Sequence, residues 1–176
     1  MSNDDVDSRA SSANPTADSD MRELSVVEVL DAIGSARPSS GAGISAAIAL
    51  ALATACALKA VRITLKHTED ADLRQRGERL ENQRDQALDR ARVDAELFQR
   101  YLKNHEPREA ARLVKAAEDF QVLADDILQE LKGLEERVRA TVAADVSAAR
   151  ALHSAAIQIE GMILRESREL RARVMP

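Results

Sequence analysis

From Gly41 to Leu58 the chain runs 18 residues without a charge, and no other feature restricts its fold so tightly. That length approaches a membrane span, but more than half of the stretch is Ala, Gly, Ser or Thr, which contribute little to insertion, and Lys59 and Arg62 continue the same helix directly. A helix apolar on every side in a water-soluble protein is central and packed all round. Its small residues suit a close helix contact, including one across a dimer axis. The rest of the composition agrees with a helical fold: of 176 residues only two are Phe, one is Tyr and none is Trp. The chain draws instead on Ala, Leu, Arg and Glu, the strongest helix formers. The expected architecture is all-α, a bundle of about five to six helices around the Ala-rich one.

Charge and cysteine usage exclude several function classes. The net charge is −5, and most of it lies in residues 1–20, which hold five Asp and one Arg. The remainder is nearly neutral and has almost no aromatic platforms, which argues against nucleic acid as a partner. Cys56 is the sole cysteine, so no intrachain disulfide forms, as expected in a reducing cytoplasm. His67, His105 and His153 lack the spacing of a zinc site, and no Walker or dinucleotide fingerprint occurs.

Along the chain, residues 1–20 read as a disordered tail and 21–176 as a single helical domain. Ser25 and Glu28 make a capping box, with Leu24 and Val29 as a hydrophobic staple, for a short helix ended by Gly34. Arg37 to Gly43 reads as a loop before the central helix. Thr68 is the expected N-cap of a long third helix to about Asn104, with Leu73, Leu80, Ala87, Asp94 and Tyr101 facing inward. Pro107 starts a fourth helix whose stripe is Leu113, Ala117, Phe120, Ala124, Ile127, Leu131 and Leu134. Unbroken helix from there to the end would be about 100 Å long, so a break is expected at Gly133 or in 139–144. The last helix then carries Val142, Asp145, Ala149, Leu152, Ala156, Ile159 and Ile163 on one face.

Two carboxylates therefore interrupt apolar rows. An inward Asp94 or Asp145 must be paired with a cation from a neighbouring helix, protonated, or used as an acid, a base or an anchor for a nitrogen heterocycle. Gly41 and Gly43 are either a flexible helix start or exposed N–H groups able to hold a carboxylate or heterocycle. Lys66 and His67 are either ordinary caps or groups that bind an anion or move a proton.

The order of these features resembles the cyclodeaminase/cyclohydrolase family, the all-helical folate domain of formimidoyltransferase-cyclodeaminase and of bacterial methenyltetrahydrofolate cyclohydrolases. The similarity spans about Leu24 to Ser167. Pro38, Ser39, Ser40, Gly41, Ala42 and Gly43, with the small-residue helix ending in Thr64 and Lys66, look like the family's Pro-x-Pro-Gly-Gly-Gly start and Asn-Leu-Thr-x-Gly-Lys close. Asp94 to Phe98 resembles its Asp-Ala-x-x-Phe segment, and Val142 to Asp145 its Ile-Ser-Asp segment. The chain differs at Ser40, Ala42, Arg62 and Ser147, and has Ile163 and Ser167 where the family has asparagines.

The resemblance implies a homodimer that binds a tetrahydrofolate derivative as substrate or ligand, without a tightly bound cofactor or a metal. It implies catalytic roles for Asp145, Asp94 and Lys66, and substrate contacts from Ser40, Gly41, Ala42, Gly43, Arg62, Thr64 and His67. The differing positions imply the alternative, a non-catalytic dimeric subunit that binds folate or a partner enzyme.

Overall fold

The computed structural model describes residues 23–36 and 40–174, so the expected tail at 1–20, and Pro38 and Ser39, lie outside the described residues. The described chain forms α1 (Val26–Gly34), α2 (Gly41–Leu65), α3 (Ala71–Asn104), α4 (Pro107–Leu131), a single turn α5 (Leu134–Arg137), a 3-10 turn Ala140–Val142 and α6 (Ala143–Val174). The all-α expectation holds.

α2 is the centre. It packs mainly against α3 and α6, while α4 lies across the bundle against α6 and α3 and barely touches it. Its apolar window is 61% buried, with Ile44, Leu50, Ala53, Thr54 and Ala57 fully enclosed, but Leu52 is half exposed, so within one chain the helix is packed on most sides and not all round. Small residues let the axes approach. A Cβ on Gly77 of α3 would lie 3.1 Å from Val61 Cγ1. α3 and α6, at about 50 Å each, outrun α2. Their overhang forms a second small core, in which Tyr101, Ala110 and Leu113 pack with Phe98, Leu170 and Val174.

Several boundaries follow the local chemistry. At α1 the Ser25 amide donates to Glu28 Oε2 (2.7 Å) and the Glu28 amide to Ser25 Oγ (3.3 Å), completing the capping box. Pro107 occupies the first turn of α4, and all seven residues of its expected stripe are buried. α4 ends at Leu131, and Gly133 turns the chain at φ +65°, a conformation that favours glycine.

Three expectations change. Asp70, not Thr68, caps α3: its carboxylate accepts from the Leu73 amide (2.9 Å) and also pairs with Arg137, contacts a threonine two residues earlier does not make. The loop expected to reach Gly43 ends at Ser40, because the Ile44 amide already bonds to the Ser40 carbonyl (3.0 Å) and Gly41 begins the helix. The buried face of α6 is turned by about one residue from the expected row. It reads Val146, Ala149, His153, Ala156, Glu160, Leu164 and Ser167.

Candidate functional site

The two segments that carry the resemblance at the start of α2 and in mid-α3 meet in space. Ser40 is the N-cap of α2, but its hydroxyl does not cap the helix; it donates instead to Asp94 Oδ2 on α3. Gly43, one turn into α2, lies directly against that carboxylate. A Cβ there would overlap the Asp94 carboxylate and lie 2.7 Å from Ser40 Oγ. Glycine at 43 is therefore required for Asp94 to reach Ser40, and the first turn of α2 keeps its amide donors free of side-chain caps.

Below this contact is a cavity of about 10 Å³ lined by Gly43, Arg90, Asp94, Phe120 and Glu160, so that α2, α3, α4 and α6 all contribute to its wall. It has room for a single water. Glu160 is 4% exposed and faces this space. Burial, then the charge of Asp94, push the Glu160 carboxyl up to about 8, against the opposing pull of Arg90. Burial also raises Asp94, which the Ser40 hydroxyl partly offsets. Of the two, Asp94 carries the negative charge first, because a hydroxyl stabilises its ionised form and Glu160 has no such donor among the described residues. Arg90 reaches outward to Asp119 (3.8 Å), which also accepts from Lys115 (2.5 Å).

The other expected site residues lie elsewhere. Gly41 and Ala42 share the helix start with Gly43, but Arg62, Thr64, Lys66 and His67 stand at the far end of α2, Lys66 about 34 Å from Gly43 along the axis. Arg62 pairs with Glu81 (2.8 Å). Thr64 is buried; its hydroxyl donates to the Ala60 carbonyl (2.9 Å) and accepts from the Arg139 amide (3.1 Å), tying α2 to the turn before α6. Lys66 and His67 are exposed.

Asp145 is paired as well. Lys59 Nζ donates to it at 2.8 Å, about 24 Å along α2 from Gly43, and that contact raises Lys59. Within one chain, Asp94 and Asp145 stand against positions 43 and 59 of α2, well apart along its axis. His153 is buried but satisfied, its Nε2 lying 2.8 Å from the Ala124 carbonyl oxygen.

Sequence reasoning missed Arg90 and Glu160. Both had a signal: Arg90 is four residues before Asp94 on the same helical face, and His153, Glu160 and Ser167 recur every seven residues on α6. Among the described residues no group of His, Cys, Asp and Glu side chains is arranged to hold a metal ion.

Residues 25–119, more than half of the chain, match the family model described as formiminotransferase-cyclodeaminase. Among solved structures the chain is similar to formiminotetrahydrofolate cyclodeaminase from Thermotoga maritima, with a TM-score of 0.76, 22% identity, and coverage of 88% of this chain and 86% of that one. At that identity the likeness speaks for the fold alone. No curated protein matches the chain. The matched stretch contains both Gly43 and Asp94, and on the strength of its extent the chain belongs to the formiminotransferase-cyclodeaminase family.

Proposed function

We propose that the protein works on a folate one-carbon unit, as a methenyltetrahydrofolate cyclohydrolase or a formimidoyltetrahydrofolate cyclodeaminase. The observation that carries this reading is the Asp94 carboxylate, held by Ser40 against Gly43 at the open start of α2. Hydrolysis of a methenyl bridge needs a group that takes a proton from water as it adds to the cationic carbon. Cyclodeamination needs a proton acceptor at the closing nitrogen and a proton for the departing ammonia. A partly buried carboxylate beside free helix N–H groups suits either task. In this reading Asp94 is the reacting carboxylate, and Ser40, Gly41, Ala42 and Gly43 hold the heterocycle. Asp145, Lys66, Arg62, Thr64 and His67 have no part in the chemistry of the same chain.

A second reading, a non-catalytic folate- or partner-binding subunit, is favoured by one specific observation: the cavity beside Asp94 admits only a water. A spectroscopic assay of methenyltetrahydrofolate hydrolysis separates the two. Acceleration over buffer that Asp94→Asn abolishes supports the enzyme; folate binding without turnover supports the subunit; neither binding nor turnover sinks both.

Homodimer formation is part of the same proposal. Leu24, Val26, Leu30, Ile48, Leu52 and Leu152 line an apolar groove of about 410 Å³ on the outer side of α1 and α2, with Val26 75%, Leu30 60% and Leu52 50% exposed. Contiguous exposed apolar surface of this kind marks an interface. Light scattering is expected to give twice the chain mass for the native protein and a shift toward monomer for Leu52→Glu.

A further inference from the structure

We propose that Glu160 is the proton-holding partner of Asp94: the two carboxyls, on α6 and α3, share one proton across the water-sized cavity, and Glu160 thereby sets the ionisation of Asp94. It is a positioning residue, acting through Asp94.

Asp94 and Glu160 come from different helices and line the same cavity of about 10 Å³, which suits one bridging water. Glu160 is 96% enclosed, yet among the described residues no hydrogen bond or ion pair satisfies its carboxyl. A buried carboxylate so placed would be costly, whereas a neutral carboxyl can donate to the bridging water. The charged groups facing it are few. α3 supplies Asp94 and Arg90, α4 supplies Asp119 and Lys115 behind Arg90, and α2 brings only Gly43 and Ala47 to the wall. Two carboxyls confined together cannot both ionise easily, so the pair titrates as a unit. The raised Glu160 carboxyl, near 8, agrees with it holding the proton at neutral pH.

The exchange balances within the pair. A proton leaving Glu160 for the cavity water is matched by one passing from that water to Asp94. The pair keeps one proton and one negative charge whichever carboxyl bears it. While Glu160 holds the proton, Asp94 is ionised and can accept a proton from water in one half of a turnover, then return it to the departing nitrogen in the other.

The test is carboxyl carbon-13 NMR of the full chain, titrated from acid to alkaline pH, with Glu160→Gln and Asp94→Asn for assignment and circular dichroism to check folding. Glu160 is expected to titrate near 8 and to move down by about one unit or more in Asp94→Asn. If Asp94→Asn does not fold, the coupling is read from the other side: Asp94 shows a second inflection at the Glu160 midpoint, which Glu160→Gln removes. A Glu160 that titrates among ordinary carboxyls, a midpoint unmoved by Asp94→Asn, or an Asp94 curve with no second inflection overturns the proposal.

The consequence for turnover rests on the one-carbon reading. There, Glu160→Gln is expected to lower kcat about tenfold or more with little change in KM, and to remove the alkaline limb of the pH profile. An unchanged profile overturns the role. Absence of turnover in the native protein counts against the one-carbon reading alone, and the NMR titration still decides the coupling.

Discussion

The two ends of α2 place an aspartate beside the same helix and treat it in opposite ways. At the N-terminal end, Asp94 is drawn into the bundle, held by a serine hydroxyl and backed by a second carboxyl, with its own pKa and that of Glu160 pushed upward. At the C-terminal end, Asp145 stays at the rim and takes an exposed lysine, Lys59, as counter-ion. A place in an apolar row of the sequence does not by itself say which outcome a carboxylate meets. What decides it is whether the neighbour can approach closely: Gly43 leaves room for a buried carboxylate, whereas the C-terminal end offers Lys59, Arg62 and Lys66 in solvent.

Gly43→Ala is the sharpest way to break that contrast. The new Cβ overlaps Asp94 and crowds Ser40, so denaturant unfolding is expected to show a loss of about 2–3 kcal/mol. The same exchange at Gly161, where a Cβ meets nothing within 4 Å, is expected to gain up to about 1 kcal/mol from helix propensity. Equal effects at both sites would remove the packing argument.

Next in size is the pH dependence at Glu160. Below 4.5 both the native and unfolded chains carry this proton; between 4.5 and about 8 only the native chain does. Stability contributed by the group therefore falls as pH rises through that window and levels off above it. Glu160→Gln, neutral throughout, is expected to match the native protein at acid pH and to exceed it at alkaline pH, by about 2 kcal/mol or more. Unfolding curves that differ by the same amount at both pH values would contradict the burial of an ionisable group there.

Smallest is the surface pair. Asp145→Asn or Lys59→Ala is expected to leave the thermal midpoint unchanged, because an exposed ion pair is screened and costs side-chain entropy to hold. A clear drop at low salt would raise Asp145 to a structural role.

Much of this was legible in the residues. The capping box at Ser25, the Pro107 start, the Gly133 turn and the α4 stripe each rest on chemistry that one or two side chains dictate. Asp94 was legible because a charge in a row of Leu73, Leu80 and Ala87 stands out. The face of α6 was not, since alanine is a poor guide to burial: Ala149 and Ala156 are enclosed while Ala151 and Ala155 are exposed. In such a helix the polar residues carry the register, and His153, Glu160 and Ser167 lie inward while Ile159 and Leu152 lie at the flank. Reading the apolar residues alone rotated the helix by one position, which placed Asp145 inside and hid Glu160. The separation of Lys66 from Gly43 needed only the helix rise, but the resemblance grouped them by motif and not by distance.

In the proposed function the chemistry of this chain belongs to the N-terminal end of α2. Calorimetric titration of a tetrahydrofolate derivative into the native protein, Asp94→Asn and Asp145→Asn tests it most directly. Asp94→Asn is expected to lose most of the binding and Asp145→Asn to keep it; loss of binding in Asp145→Asn with Asp94→Asn unaffected would place the chemistry at the other end of the helix.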